Sequence, residues 1–297
     1  MTPLATQPVF TPKQVARALG VSESSVKRWC DSGQIRAGKT VGGHRKLPIS
    51  SIVAWIRETG HEVVDPVALG LAATPQRRRP EQSIDDLFAS LAAGDEAAAR
   101  SLVLGFYQRG SEIAELGDLL ISPAFKQIGD GWEQGEISVH QERRACEIML
   151  AVLHELRRWL PPAPADAPLA MTATPLRDFA QTPIRLVEVL LLAAGWRTEM
   201  VGAGLPLEEI QQAVAARKPQ LLCLSVTHLK DVGEYVDLHN RLVTTLDRDT
   251  RIVVGGGALT AEQAGALRCD LFAPDLNCFA EWLAAHPVTD HPHGGAG

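Results

Sequence analysis

Apolar positions along this chain change period twice, and the changes divide it. From Phe10 to about Gly60 they come in short amphipathic bursts. Thr11-Pro12-Lys13-Gln14 opens a helix: Thr11 caps it, and Pro12 suits the first helical position, where a missing N–H costs nothing. Val15, Ala18 and Leu19 give that helix one apolar face and Gly20 ends it. Ser22 caps a second helix through Trp29, with Val26 and Trp29 inward. Ile49–Glu58 makes a third, with Ile52, Val53 and Ile56 inward. From Ser83 to Leu160 the period is helical throughout. Ser83-Ile84-Asp85-Asp86 reads as a capping box, and Gly94 and Gly110 end the first two helices. A third starts at Ser111, breaks near Ser122-Pro123 and resumes to Trp132. The fourth, Val139–Leu160, spaces Ala145, Met149, Val152, Leu156 and Trp159 alternately four and three apart, the seam of a four-helix bundle.

Beyond Leu169 short apolar runs alternate with helices. Leu169–Ala173, Trp196–Gly202, Gln220–Ser225 and Arg251–Val254 read as strands, with helices at Ile184–Ala194, Leu207–Arg217 and Val232–Leu246 between them. This alternation predicts a Rossmann-like, doubly wound parallel sheet. The fold class is thus multidomain α and α/β, with domains at 1–60, 83–160 and 169–286. Residues 61–82, with Pro66, Pro75, Pro80 and Arg77-Arg78-Arg79, read as an exposed linker. The Pro-rich 161–168 reads as a stiff one, and 287–297 as a disordered tail.

Charge sharpens the division. The net charge of −6 over 297 residues argues by itself against nucleic acid. Residues 1–60, however, carry nine Lys or Arg against three Asp or Glu, and the remainder 20 against 32. A basic head on an acidic body means that only the head meets a polyanion. The five cysteines form no Cys-x-x-Cys pair, which excludes a disulfide framework and fits a cytoplasmic location. There is no signal-peptide core at the start and no apolar run of membrane-spanning length, so no membrane partner is expected.

The head's two helices joined by a Gly-Val turn make a helix-turn-helix, whose second helix offers Ser24, Ser25, Lys27 and Arg28 to the major groove of double-stranded DNA. Ile35-Arg36-Ala37 and Leu47-Pro48 flank a hairpin that carries Lys39, Thr40, His44, Arg45 and Lys46, a wing for phosphate or minor-groove contact. The run Thr-Val-Gly-Gly-His-Arg-Lys at 40–46, placed after Gln34-Ile35-Arg36, closely resembles the winged helix-turn-helix of the MerR and excisionase families.

In the middle segment, Trp132 precedes Val139 and Glu142 at the spacing of a cobalamin-binding helical cap, which resembles the light-sensing CarH, CarA and LitR regulators. There a Trp is followed after nine residues by Glu-His, and these residues cover the upper face of the corrin; here Arg143 replaces the His. The C-terminal segment resembles the cobalamin-binding Rossmann-like domain. Ser225-Val226-Thr227 and Gly255-Gly256 stand where that family has Ser-x-Thr and Gly-Gly, which line the pocket for the nucleotide tail. The family's Asp/Glu-x-His-x-x-Gly is altered: Asp178 fits the acid, Ala180 stands at the cobalt-ligating His, and Pro183 replaces the Gly. No His occurs between His154 and His228, so a register slip supplies none.

Three arrangements accommodate Ala180. Cobalamin binds without a ligand from the protein; another tetrapyrrole, haem or a bilin, binds through His228 or His140; or the domain binds none and serves as a protein–protein module. The resemblance implies a DNA-binding regulator, a repressor whose ligand- or light-sensing half controls self-association as dimer or tetramer and thereby covers a promoter. The alternative is an antirepressor that binds another regulator. Methyl-transfer or mutase chemistry is disfavoured, since 297 residues leave no room for a substrate barrel beside these domains.

Overall fold

The computed structural model describes residues 7–40, 42–72 and 80–287. The expected tail and the Arg77-Arg78-Arg79 run fall outside these. The chain forms two compact units that meet at 162/163, inside the Pro-rich 161–168 stretch.

The first unit begins with β1 (Val9–Phe10), α1 (Pro12–Leu19) and α2 (Glu23–Asp31). It continues with β2 (Gly38–Lys39), β3 (Arg45–Pro48) and α3 (Ile49–Thr59). The expected caps form. Thr11 Oγ1 accepts from Gln14 N while Gln14 Oε1 accepts from Thr11 N, and Ser22 Oγ accepts from Ser25 N. Gly20 closes α1 at φ +67°, a left-handed conformation natural to glycine. Val15, Ala18, Leu19, Val26, Ile35, Leu47 and Ile52 form the small core. Trp29 is half-buried and lies against Trp55, ring centroids 4.5 Å apart, with His61 at the edge.

The bundle comprises α4 (Pro80–Ala93), α5 (Glu96–Gln108), α6 (Ile113–Leu116), α7 (Ser122–Glu133) and α8 (Val139–Trp159). Three expectations need correction. α4 starts at Pro80, so Ser83 lies inside the helix rather than capping it; proline at a first helical position is the stronger start signal. The break near Ser122-Pro123 is instead a π-turn, Gly117–Ile121, that joins α6 to α7 without a stop. Pro123 has no N–H to give the carbonyl four residues back, and widening the preceding turn accommodates that loss. Third, residues 61–72 are not an exposed linker. Val64 N and Asp65 N both donate to the Ala18 carbonyl, Arg17 pairs with Asp65, and Leu69, Leu71 and Ala72 are buried. The predicted seam holds: Ala145, Met149, Val152, Leu156 and Trp159 are all buried.

The second unit is a five-stranded parallel sheet, β4 (Leu169–Pro175), β5 (Arg197–Leu205), β6 (Leu221–Ser225), β7 (Arg251–Gly255) and β8 (Leu271–Ala273), in the order β5-β4-β6-β7-β8. Its helices are α9 (Gln181–Ala193), α10 (Leu207–Arg217), α11 (Val232–Thr245), α12 (Ala261–Ala264) and α13 (Leu276–Ala285). Met171, Ala173, Leu222, Leu224, Val226, Ile252 and Val254 pack on one face with Ile210 and Val214 of α10 and Tyr235 and Leu242 of α11. Side chains alternate along a strand, so Thr172, Cys223, Ser225 and Gly255 belong to the opposite face, on which α9 lies. The chain reverses its winding between β4 and β6. A doubly wound sheet binds ligands at that switch point, beyond its carboxyl ends.

Gly255 and Gly256 have a packing role of their own. A Cβ on Gly255 would stand 2.9 Å from the Ala273 carbonyl oxygen, and Gly256, at φ +103°, would meet the Val226 backbone. Gly256→Ala is therefore expected to destabilise the second unit by at least about 2 kcal/mol, read as a lowered midpoint in urea. An unchanged midpoint contradicts this packing.

Candidate nucleic-acid interface and ligand site

The wing is built from its backbone outward. Gly38 and Lys39 pair with Lys46 and Arg45 across β2 and β3. At the tip Thr40 N donates to the His44 carbonyl, Gly43 N donates to the Thr40 carbonyl, and Thr40 Oγ1 accepts from His44 N. Thr40, expected to touch DNA, thus organises the tip. Arg45 extends back to Asp31 at the end of α2, 2.5 Å away, and fixes the wing against the recognition helix.

A cleft runs between wing and helices. It gathers Lys27, Thr40, His44, Arg45 and Lys46 with Thr11, Pro12, Lys13, Glu23 and Gly43. Lys27 pairs with Glu23 at 2.8 Å, and Lys27 and Lys13 hold the Glu23 carboxyl below its ordinary pKa. Ser24, Arg28 and Lys39 are exposed outside this cleft. Ser25 Oγ lies 2.9 Å from the capping Ser22 Oγ, committed to the helix start. Lys13 is the residue that sequence reasoning missed. Its Thr-Pro-Lys context signals a helix cap, and only the fold brings α1's first turn beside the wing.

At the end of the bundle, Gly131, in the last turn of α7, anchors the α7–α8 turn. Its carbonyl accepts from Glu136 N and Ile137 N, and a Cβ there would stand 2.8 Å from Ile137 Cγ1. Ser138 and Gln141 then cap α8 reciprocally. This turn leaves Trp132 51% and Val139 57% exposed, so neither is a core residue. Glu142 is half-buried; it accepts from Cys146 Sγ at 3.8 Å and pairs with Arg143. Burial, first, and then the Glu142 charge push the Cys146 thiol up to about 11. His140 is exposed, with Nδ1 2.8 Å from Ser138 Oγ.

At the switch point of the second unit, Asp178 is buried and joins the loops after β4 and β6. Its carboxylate accepts from Thr227 N at 2.5 Å, Thr227 Oγ1 at 2.8 Å, His228 N at 3.2 Å and Ala180 N at 3.1 Å. Thr227, expected in the tail pocket, thus spends its hydroxyl on Asp178. Leu176 and Arg177, at φ +52° and +64°, hold the β4 loop in left-handed conformations. Phe179 is 63% exposed and its ring lies over Gly204, where a Cβ would clash at 2.5 Å. The His228 side chain is exposed, and no three potential metal ligands cluster among the described residues. Ser225 is buried on the α9 face of the sheet, as is Thr172, whose Oγ1 has no partner; Thr182 Oγ1, in the first turn of α9 itself, is likewise buried without one. Burial raises the Cys223 thiol far above its ordinary value, as befits a core residue rather than a ligand.

These features define a winged helix-turn-helix head followed by a helical bundle and a five-stranded parallel sheet. Residues 9–60 match a helix-turn-helix domain family, and residues 83–157 and 168–281 each match a B12 binding domain family. The chain therefore combines a helix-turn-helix domain with B12 binding domains. It is similar to the HTH-type transcriptional repressor CarA of Myxococcus xanthus, 23% identical over 76% of this chain and 79% of that one. It is also similar to the repressor CarH of the same organism, 28% identical over 50% and 48%. Among solved structures, the Methanosarcina barkeri monomethylamine corrinoid protein shares the fold, with a TM-score of 0.57, 22% identity, and coverage of 69% of this chain and 98% of that one.

Exposed Trp132 yields a direct check. Trp132→Ala should change stability by less than about 1 kcal/mol, measured by chemical unfolding, because the ring is half in solvent. A loss of about 3–5 kcal/mol would make it a core aromatic.

Proposed function

We propose that this protein is a DNA-binding transcriptional regulator, acting as a repressor, whose cobalamin-type half controls its self-association. The observation that carries this reading is the cationic cleft of the winged head in the same chain as two B12 binding domains. One winged head buries little surface on DNA, so useful affinity requires several heads acting together as a dimer or tetramer. Occupancy of a promoter by such an oligomer blocks transcription sterically. The names of the relatives support repression over catalysis. Among the described residues no helix is long and apolar enough to cross a membrane, which accords with a cytoplasmic regulator.

The site fits a corrinoid in part. The small, polar α9 face of the sheet, with Ser225, Gly255 and the orphaned hydroxyl of Thr172, suits the polar tail of a cobalamin. In the first unit, Trp132 and Val139 present an exposed apolar surface of their own. A metal ligand at 180 does not fit, because an Ala methyl has no lone pair. A bound cobalamin would supply a light-sensitive cobalt–carbon bond, and the second unit would hold it by its tail without a ligand from residue 180. The second reading, a domain that takes no tetrapyrrole and binds another regulator, is favoured by that same Ala180 and by the commitment of Asp178 and Thr227 to each other.

Two measurements test these statements. Lys13→Ala with Lys46→Ala should weaken binding to every duplex sequence alike and reduce the slope of log K against log salt by about 1 per lost phosphate contact. An unchanged slope sinks the cleft as the DNA surface. Titration with adenosylcobalamin should give a saturable absorbance change in the wild type. Ala180→His should then move the visible band by adding a nitrogen ligand. A wild-type protein that takes up no corrinoid, haem or bilin supports the second reading instead.

A further inference from the structure

Arg57, in the last turn of α3, reaches out of the head into the bundle. Its guanidinium donates to the carbonyls of Tyr107, Ser111 (2.8 Å) and Gly110 (3.5 Å), and pairs with Glu112 at 3.0 Å. It also lies 3.9 Å over the Tyr107 ring. The side chain is only 14% exposed, unlike a solvated surface arginine. These carbonyls belong to the end of α5 and the turn after it, where a helix leaves acceptors unpaired and its dipole is negative. A planar fork with five donors suits such a cluster; an ammonium does not span it. A second tether lies alongside. Gln7 Nε2 donates to the Leu160 carbonyl just beyond α8, and Gln7 Oε1 accepts from Ser50 Oγ of α3. A third runs through the segment after the head. Arg100 of α5 donates to the Gly70 carbonyl at 2.7 Å while gripping Glu155 of α8 at 2.5 Å.

We propose that the Arg57 and Gln7 contacts latch the DNA-binding head onto the C-terminal ends of α5 and α8, with Arg57 as the positioning residue and Arg100, in the first half of α5, bracing the segment after the head, so that the head moves with the bundle. α8 begins at Val139, beside exposed Trp132, and ends at the latch, a rigid rod of about 30 Å. α5 runs the same way. The turn before it touches the start of α8, where Gln141 Nε2 donates to the Ala92 carbonyl and Arg144 to that of Gly94. Its other end carries the Arg57 acceptors. Any displacement of α8 at the Trp132–Val139 end therefore reorients the cationic cleft, which lies on α1, α2 and the wing rather than on the docked α3. The inference requires no particular ligand at that end, so it stands apart from the cobalamin reading.

The test is hydrogen exchange on the full chain, comparing wild type, Arg57→Ala and Arg57→Lys. In Arg57→Ala, amides of α3 and of residues 107–113 should exchange at least about tenfold faster, while those of α1 and α2 keep their protection. Binding to random-sequence duplex should stay within about twofold of wild type. Arg57→Lys keeps the charge without the fork and should give an intermediate rate at 107–113. Unchanged protection at both α3 and 107–113 in the two variants overturns the latch. An equal loss of protection across the whole head in Arg57→Lys also overturns it, since Arg57 would then serve the head's own fold.

Discussion

A buried carboxylate must find donors, and Asp178 sets the ligand end of the sheet by the donors it finds. The strand order β5-β4-β6-β7-β8 brings the loops after β4 and β6 side by side, and Asp178 draws three hydrogen bonds from the second loop and one from its own. Leaving the buried carboxylate without such donors would cost at least about 1–3 kcal/mol. The closure fixes where Ala180 starts α9 and holds Phe179 outward over Gly204.

Glycine serves the same closure. Gly256 lets the loop after β7 lie against Val226, whose N–H donates to the Gly255 carbonyl and whose carbonyl accepts from Ala258 N. The Gly-Gly pair thus has a structural duty whether or not a nucleotide tail lies beside it. The hydroxyls of Thr172 and Thr182 have no such duty, and each is buried without a hydrogen-bond partner.

The sequence was most legible where signals were local. The wing was readable because glycines, cations and flanking apolar pairs fall within ten residues, and the strands because buried parallel strands are continuous apolar runs. Local signals failed where two of them competed. Ser83 and Pro80 both announce a helix start, and the proline prevailed. A capping signal at Thr11-Pro12-Lys13 hid the placement of Lys13 beside the wing. Arg57 was illegible for another reason. A cation in a helix's last turn reads as solvated, and its acceptors are backbone carbonyls some fifty residues on, which carry no sequence signature. Residues 61–72 read as a linker by their prolines, yet their own backbone bonds tie them to α1.

The split of a −6 chain into a +6 head and a −12 body therefore corresponds to a cationic cleft on the head, followed by the helical bundle and the parallel sheet. The central claim is that one chain binds DNA and is governed by what its B12 domains hold. The most direct measurement is fluorescence anisotropy of a labelled duplex titrated with the full chain at fixed salt, with and without adenosylcobalamin, in the dark and after illumination. The account predicts saturable duplex binding whose affinity or stoichiometry changes with the corrinoid. Duplex binding that is absent even at low salt would contradict it, as would binding that no corrinoid alters although one is taken up.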